Sequence, residues 1–227
     1  MSIKLFLFSI LIAFHIWVFW QGIKVMNHVP TAIGIYFTFP LWIAIISSFF
    51  LKEKFNKFRV ISLLLGTVGA LFAIKLLPSL SLSSVNINGV LLMTVAAITW
   101  AIGLIVRQRV FTKYSNVSLL FYNFLISSIV FWFLQSPAIT LFQLTPEIMK
   151  YILLMAVVST YIAYILIYQS VKYIKASNAG IVSLIKPVLG IGFAYLILHQ
   201  ITNLFQSIGV ILIILAVCLI YKERNNA

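Results

Sequence analysis

Apolar residues form eight long runs along the chain, and short stretches with polar residues, glycine or proline separate them. Each run approaches the roughly 20 residues that an α-helix needs to cross about 30 Å of hydrocarbon. The pattern predicts helices at 5–22, 30–51, 58–76, 88–106, 117–135, 149–170, 176–198 and 204–221. The predicted fold class is therefore all-α, a polytopic membrane helix bundle of about eight transmembrane helices, with loops too short to hold a soluble domain.

The composition supports a membrane protein and excludes several other classes. Hydrophobic residues make up 63% of the chain and charged residues 8%, whereas soluble domains devote about a quarter of their residues to charge. A net charge of +13 could indicate nucleic-acid binding, but the cations lie in short clusters between apolar runs. One cysteine excludes a disulfide within the chain. We find no nucleophile–base pair, phosphate loop or metal-spaced cluster, so we predict no enzyme, cofactor or metal site.

The distribution of cations predicts the orientation in the membrane, because cytoplasmic loops carry an excess of Lys and Arg. With a cytoplasmic N-terminus, twelve cations lie inside and three outside. The inner group is Lys4, Lys52, Lys54, Lys57, Arg59, Arg107, Arg109, Lys113, Lys172, Lys175, Lys222 and Arg224. The outer group is Lys24, Lys75 and Lys150. We therefore expect a multi-pass protein of the cytoplasmic membrane with both termini in the cytoplasm. The first run has no small-residue cleavage site and is interpreted as a retained span.

The two ends of the chain resemble each other at an offset of 147 residues, which places Pro40 on Pro187. The same offset aligns Leu51 with Leu198, Asn56 with Asn203, Phe58 with Phe205, Ile61 with Ile208 and Lys75 with Lys222. The repeat covers helices 1–3 and again helices 6–8. Because five spans separate the equivalent helices, the second copy runs through the membrane in the opposite direction. Inverted repeats that meet at a midplane site are a recurrent plan of secondary transporters.

Two segments carry a resemblance to a known family. "FTFPLWIAIISSFFLKEKFNKFRVISLLLGTVGALFA" (37–73) and "YIKASNAGIVSLIKPVLGIGFAYLILHQ" (173–200) are similar to the proline, small apolar run and glycine-rich helix of EamA-type carriers. These carriers belong to the drug/metabolite transporter superfamily. The resemblance implies a shortened first repeat at 1–80 with three helices, a second repeat at 86–222 with five, and a cytoplasmic tail at 223–227. It also implies an integral membrane transporter for a small organic metabolite that works by alternating access.

The family usually has ten helices arranged as five plus five, and this chain resembles the last eight. The resemblance therefore leaves two functions open. The chain is either a shortened carrier, or a partner-dependent membrane subunit that needs the two helices from elsewhere. The predicted partners are the lipid bilayer and a small-molecule substrate, with a homodimer or a missing-helix partner as further possibilities. The segment "LLFYNFLISSIV" (119–130) also faintly resembles carriers of S-adenosylmethionine, whose sulfonium charge sits poorly beside a buried cation.

Lys186, directly before Pro187, is the sharpest candidate for a substrate-binding residue. It lies near the middle of a predicted span, where a charge costs roughly 2.5–3.5 kcal/mol on insertion scales and usually faces a bundle interior or a wet cavity. Pro187 frees the carbonyl near Ser183 and predicts a kink. We predict that the ammonium is buried and meets an anionic or zwitterionic substrate group. The alternative is a neutral Lys bonded to a backbone carbonyl.

The other candidate substrate-binding residues each have a structural alternative. They are His15, Trp17, Tyr161, Tyr164 and Asn123. His15 could titrate or bind substrate, or it could be a packed hydrogen-bond donor. Tyr161, Tyr164 and Tyr168 share one predicted helix face, which lines a cavity or hydrogen-bonds to a neighbouring helix. Asn123 is a ligand contact or interhelical glue, and the tryptophans are stacking faces or parts of the interfacial belt.

No Asp or Glu falls inside a predicted span. Proton-coupled carriers often relay protons through buried carboxylates, so we expect exchange or facilitated transport. Gly66, Gly69, Gly190 and Gly192 are interpreted as close-packing points between helices.

Overall fold

A computed structural model describes residues 2–26, 28–52, 56–74, 86–134, 145–199, 201 and 203–225. The helices are α1 (Ile3–Met26), α2 (Val29–Tyr36), α3 (Phe39–Phe50), α4 (Lys57–Ala73), α5 (Ile87–Val110), α6 (Asn116–Leu134), α7 (Pro146–Leu154), α8 (Ala163–Tyr173), α9 (Ala176–Val182), α10 (Lys186–Leu198) and α11 (Leu204–Asn225). Seven spans of the described chain are long and apolar enough to cross a membrane. The 17-residue helix α4 is the remaining predicted helix, the one at 58–76. A polytopic helical bundle is confirmed.

Part of the sequence prediction falls on residues outside those ranges. The predicted boundary between the two repeats at 81–85 lies outside the described residues, as do the cations Lys54 and Lys75. The division of the chain into two repeats therefore stays a prediction.

Two of the predicted helices are interrupted just before a proline. The helix predicted at 30–51 is α2 and α3, with a break at residues 37 and 38 before Pro40. The helix predicted at 176–198 is α9 and α10, joined by a 3-10 turn over Ser183–Ile185. Pro187 has no N–H to donate to the Ser183 carbonyl. That carbonyl instead accepts a bond from the Lys186 N–H, so the α-helical pattern is interrupted at the place where the kink is predicted.

In each predicted repeat an asparagine caps the start of the last helix, and the two asparagines are separated by the repeat offset. Asn56 Oδ1 accepts a hydrogen bond from the Arg59 N–H, at 2.9 Å, where α4 begins. Asn203 Oδ1 accepts from the Gln206 N–H, at 2.8 Å, where α11 begins. Gln206 Oε1 accepts from the Asn203 N–H in return, at 3.2 Å, which completes a capping box. The equivalence of Asn56 and Asn203 thus has a physical basis, because each satisfies the orphan N–H groups of a helix start.

Helices α4 and α11, which the predicted repeat makes equivalent, pack antiparallel. Phe72 near the end of α4 stacks on Phe205 near the start of α11, with ring centroids 6.1 Å apart. One turn earlier on α4, Gly69 faces Gly209, and Gly66 faces Ala216 further along α11. Glycine at these positions lets the two backbones approach closely, as at many membrane helix interfaces.

Helix α5 lies at the centre of the bundle and contacts α1, α2, α3 and α8. The side chains of Ala96, Ala97, Ala101 and Leu104 are buried at these contacts. Small residues dominate this face because a helix surrounded by other helices has little room for side chains. The polar or aromatic residues that α5 does bury, including Thr99, Trp100 and Arg107, are therefore positioned by several neighbours at once.

At the end of the bundle opposite the α5–α6 turn (residues 111–115), the helices on one side are exposed and lack packing neighbours within the described part of the chain. We call this surface the open side of the bundle. None of the residues in α7 or in the π-helical segment Met155–Ile162 is buried. A Cβ added at Gly190 or Gly192 of α10 would meet nothing within 4 Å. The prediction that these two glycines are close-packing points is wrong, because no described helix lies against that face of α10. The same prediction for Gly66 and Gly69 is confirmed.

We predict that Gly209→Ala destabilises the protein by about 1–3 kcal/mol, the usual cost of overpacking. The added Cβ would lie 2.5 Å from the Ala73 nitrogen and 2.6 Å from the Gly69 oxygen, and neither backbone atom can swing away. Gly190→Ala is the matched control. It adds the same methyl to a helix with open space around it, so it should leave stability unchanged or raise it by up to about 1 kcal/mol. Thermal unfolding in detergent measures both, and equal midpoints for the two variants would contradict the prediction.

Candidate functional site

Five side chains from five helices meet near the middle of the spans, and we call them the aromatic site: His15, Tyr36, Trp100, Tyr164 and Lys186. Trp100 is the hub. Its ring centroid lies 5.2 Å from that of His15 and 5.6 Å from that of Tyr164, and the Lys186 Nζ lies 5.9 Å from its centroid. The ring of Tyr36 lies 5.9 Å from that of His15. The chain thus places a cation and an imidazole around one indole.

Three residues of the aromatic site stand at irregularities of their helices. Tyr36 is the last residue of α2, Tyr164 follows the π-helical segment by one residue, and Lys186 follows the 3-10 turn directly. Interrupted helices at the midplane are a feature of substrate sites in transporters, because the breaks free backbone polar groups and re-aim side chains. Single π-helical turns also occur often at functional sites. The irregularities therefore converge on this cluster rather than being scattered.

Trp100 combines deep burial with an unused donor. The residue is 5% exposed, and its indole Nε1 has no hydrogen-bond partner among the described residues. A buried indole N–H normally finds an acceptor, and leaving a buried donor unsatisfied costs about 1–3 kcal/mol. An acceptor on a bound molecule would satisfy this group.

Lys186 is exposed and not buried as predicted, whereas Pro187 is buried. The same side of α10 is open one turn further along, where a Cβ added at Gly190 would meet nothing within 4 Å. The Nζ nevertheless points toward Trp100 at a distance typical of a cation–π contact. Lys186 therefore contacts the aromatic site and is also exposed at the open side of the bundle.

His15 is buried and held by α5. Its Nδ1 lies 3.0 Å from the Ala96 carbonyl oxygen and 3.2 Å from the Thr99 hydroxyl. A carbonyl oxygen can only accept, so the Nδ1–H donates and the Nε2 of a neutral ring is left as an acceptor. These bonds agree with the structural alternative predicted for His15, a packed hydrogen-bond donor. They also place the imidazole ring against Trp100.

The structure separates the three tyrosines that were predicted to share an inward face. Tyr164 meets Trp100 edge-on, and Tyr168 is buried. Tyr161 is 37% exposed and makes no ring contact with the aromatic site. The expectation that it faces inward is wrong, because Tyr161 lies in the π-helical segment, whose wider turn breaks the helical register.

Trp17 and Asn123 lie away from the aromatic site. Trp17 is partly buried and stacks on Phe14 of its own helix, 6.3 Å between centroids, since it lies about 200° around α1 from His15. Asn123 is fully buried. Its Oδ1 lies 2.8 Å from the Ser9 hydroxyl, and its Nδ2 donates to the Tyr168 hydroxyl at 3.1 Å. These bonds join α1, α6 and α8, as the interhelical alternative predicts.

Two residues of the aromatic site were not selected from the sequence. Trp100 was weighed with the other tryptophans and assigned no special place, and Tyr36 was not considered. One signal was available for Tyr36, which the repeat offset pairs with Ser183. Both residues lie one turn before the proline of their repeat, where the helix is interrupted. No comparable pattern marks Trp100.

The chemistry of the aromatic site suits binding rather than bond-breaking. It offers a cation for an anionic group, aromatic faces for a planar or cationic group, and an unused N–H donor. Among the described residues, no three His, Cys, Asp or Glu side chains are close enough to hold a metal ion.

Known proteins match the chain in sequence. Residues 87–222 match the EamA-like transporter family. The "Uncharacterized transporter YoaV" of Bacillus subtilis (strain 168) is 25% identical over 85% of this chain and 66% of its own length. The "S-adenosylmethionine uptake transporter" of Rickettsia bellii (strain RML369-C) is 27% identical over 87% of this chain and 65% of its own. The chain therefore spans about two-thirds of the length of these curated relatives.

A solved crystal structure of a protein has the same fold. It superposes with a TM-score of 0.82 over 98% of this chain and 77% of the other, at 15% identity. The likeness is evidence for the fold alone. The sequence matches to a transporter family and to proteins named as transporters confirm the prediction that the chain is not an enzyme.

Proposed function

The chain belongs to the EamA-like transporter family, and we propose that it moves a small organic metabolite across the cytoplasmic membrane by alternating access. The observation that carries this proposal is the Lys186 ammonium in mid-span, 5.9 Å from the centroid of the buried Trp100 ring. A carboxylate or other anionic group of the substrate binds Lys186. A planar part of the substrate lies against Trp100 and Tyr164. A hydrogen-bond acceptor on the substrate accepts from the indole N–H of Trp100.

The substrate class that fits is a zwitterionic or anionic metabolite with a flat ring. The relative from Rickettsia bellii is named for S-adenosylmethionine uptake. That molecule has an amino-acid carboxylate that suits Lys186 and an adenine ring that suits Trp100, but its sulfonium has the same sign as the ammonium. Aromatic amino acids offer a carboxylate and a ring without the extra cation, and they suit this site better.

The proposed mode of transport is exchange or facilitated movement. The three acids of the sequence are Glu53, Glu147 and Glu223, and none lies inside a predicted span. The predicted spans therefore contain no carboxylate relay for protons. The proposed orientation has both termini in the cytoplasm, because it places twelve cations inside and three outside.

Uptake by purified protein in liposomes tests the proposal. We expect saturable uptake of radiolabelled phenylalanine or S-adenosylmethionine that speeds up when unlabelled substrate is loaded inside. Dissipating the pH gradient should leave the rate unchanged. A neutral nucleoside, which has a ring but no carboxylate, should be taken up poorly. Uptake that requires an imposed proton gradient, or that prefers the nucleoside, would contradict the proposed mode or substrate class.

A second candidate is a membrane subunit that transports only together with further helices. The observation that favours it is the open side of the bundle, where no residue from Pro146 to Ile162 is buried. The chain also spans about two-thirds of its curated relatives' length. This candidate predicts no flux by the chain alone. It predicts restored flux when a polypeptide with the first two helices of a full-length relative is expressed alongside.

A further inference from the structure

A polar cavity lies at the α5–α6 end of the bundle, away from the aromatic site. It has a volume of about 190 Å³ and is lined by Arg107, Gln108, Thr112, Val171 and Lys172. Arg107 lies seven residues after Trp100 on α5, about 10 Å further along the helix axis. The cavity is therefore near the end of the spans, at the level expected for a bilayer interface.

Arg107 is a fully buried cation with only neutral protein partners. Its exposed fraction is 0%. One terminal nitrogen donates to the Phe111 carbonyl and the other to Asn116 Oδ1, and the guanidinium carbon lies 5.7 Å from the Tyr168 ring centroid. The buried Nε has no partner among the described residues. A guanidinium has five N–H groups, and three of them have no acceptor among the described residues.

No carboxylate of the described side chains balances this charge. Glu147 is the one acidic residue among the described side chains, and it lies at the start of α7. Lys172 lies at the other end of the same membrane span, so Glu147 is far from the cavity. The whole sequence has 16 cations and three acids, so most cations have no acid to pair with. A buried unpaired charge is costly, and Lys172 adds a second positive charge to the same cavity.

Gln108 makes one wall of the cavity rigid. Its Nε2 donates to the carbonyls of Val171 at 3.2 Å and Ile174 at 2.8 Å. Its Oε1 accepts from the Ala176 N–H at 2.9 Å. One side chain thus satisfies backbone groups on both sides of the α8–α9 turn and orders the backbone next to Lys172, whose own side chain is exposed at the mouth of the cavity. A cavity whose walls are already ordered loses little entropy when it binds a ligand.

We propose that this cavity binds a phosphate group, which Arg107 and Lys172 hold. Arginine matches the oxygens of a phosphate with its planar fork, and lysine adds a point charge. The cavity is smaller than the roughly 300–1,000 Å³ typical of sites for drug-sized ligands, so it fits a head group and not a whole metabolite. The phosphate comes either from a free phosphate ion or monoester, or from an anionic phospholipid. Basic pockets between transmembrane helices bind lipid head groups in this way.

The test measures thermal unfolding of the purified full chain at constant ionic strength. Inorganic phosphate should raise the unfolding midpoint more than chloride does, and Lys172→Gln should raise the half-saturating phosphate concentration about tenfold, as expected for one lost charge-assisted bond. In a second arm the chain is placed in nanodiscs of phosphatidylcholine with or without phosphatidylglycerol. Stabilisation by phosphate identifies the free anion as a ligand, and stabilisation by phosphatidylglycerol identifies the lipid.

Lys113→Gln is the matched control, because Lys113 is an exposed residue of the α5–α6 turn that does not line the cavity. It removes the same charge from the same end of the bundle and should leave both responses unchanged. The proposal is overturned if neither phosphate nor phosphatidylglycerol stabilises the wild-type chain. It is also overturned if Lys172→Gln binds like wild type, or if the two variants weaken binding equally, since the effect would then be general attraction. Binding is measured without transport, so the result is independent of the proposed function.

Discussion

Lys186→Met is expected to lower the uptake efficiency, Vmax/KM, about tenfold to a hundredfold. The substitution keeps a long flexible side chain but removes the ammonium that lies 5.9 Å from the centroid of the Trp100 ring. A hydrogen bond to a charged group contributes about 1.5–3 kcal/mol, and 1.36 kcal/mol corresponds to a factor of ten. Initial rates of substrate uptake into liposomes, at several substrate concentrations, measure the loss.

Two further variants separate the site from a general effect of charge. Lys186→Arg keeps the positive charge and should retain most of the affinity. Lys24→Met removes one exposed cation at the end of α1, far along the helix from His15, and should transport like wild type. Unchanged uptake by Lys186→Met would eliminate the proposed role of the ammonium, provided that the wild-type chain transports.

Trp100→Leu is expected to raise the KM for an aromatic substrate about tenfold. Trp100 contacts the rings of His15 and Tyr164 and the ammonium of Lys186, so leucine removes the aromatic face that the site is built around. Aromatic pairs contribute about 0.5–1.5 kcal/mol beyond their buried area, and a cation–π contact contributes a similar amount. Concentration-dependent uptake gives KM and Vmax separately.

Trp100→Phe tests the unused indole donor. It keeps an aromatic face and removes the Nε1–H, which has no partner among the described residues. Substrates with an acceptor near the ring should lose affinity in this variant, and substrates without one should not.

Trp20→Leu is the matched control for Trp100→Leu, because Trp20 is 55% exposed and lies outside the aromatic site. Equal KM values for Trp100→Leu and Trp20→Leu would contradict the assignment.

The interruptions of the helices could be predicted where the cause is local. Pro187 lacks an N–H, and its effect on the Ser183 carbonyl follows from covalent structure alone. Asn56 and Asn203 could be paired from the sequence, and each caps the start of a helix as its residue type favours. The π-helical segment Met155–Ile162 has no such marker, and the error over Tyr161 follows from it.

The burial of particular residues could not be predicted in the same way. Lys186 stands in an apolar run and was expected to be buried, yet it is exposed because no described helix covers that face of α10. Arg107 was assigned to a cytoplasmic loop, yet it is fully buried at the end of α5. In both cases the neighbours of the side chain decide its burial, and those neighbours are remote in sequence.

By itself the sequence determined that this protein is a bundle of membrane-crossing helices, that Pro187 interrupts one of them, and that a cation stands in mid-span. These properties depend on the length of apolar runs and on the chemistry of single residues, which act over one or two helical turns. Only the tertiary structure decided that Trp100 is the centre of the aromatic site and that Arg107 and Lys172 share a cavity. Such groupings arise from the packing of helices far apart in the chain, and similar apolar surfaces do not specify in advance which faces will meet.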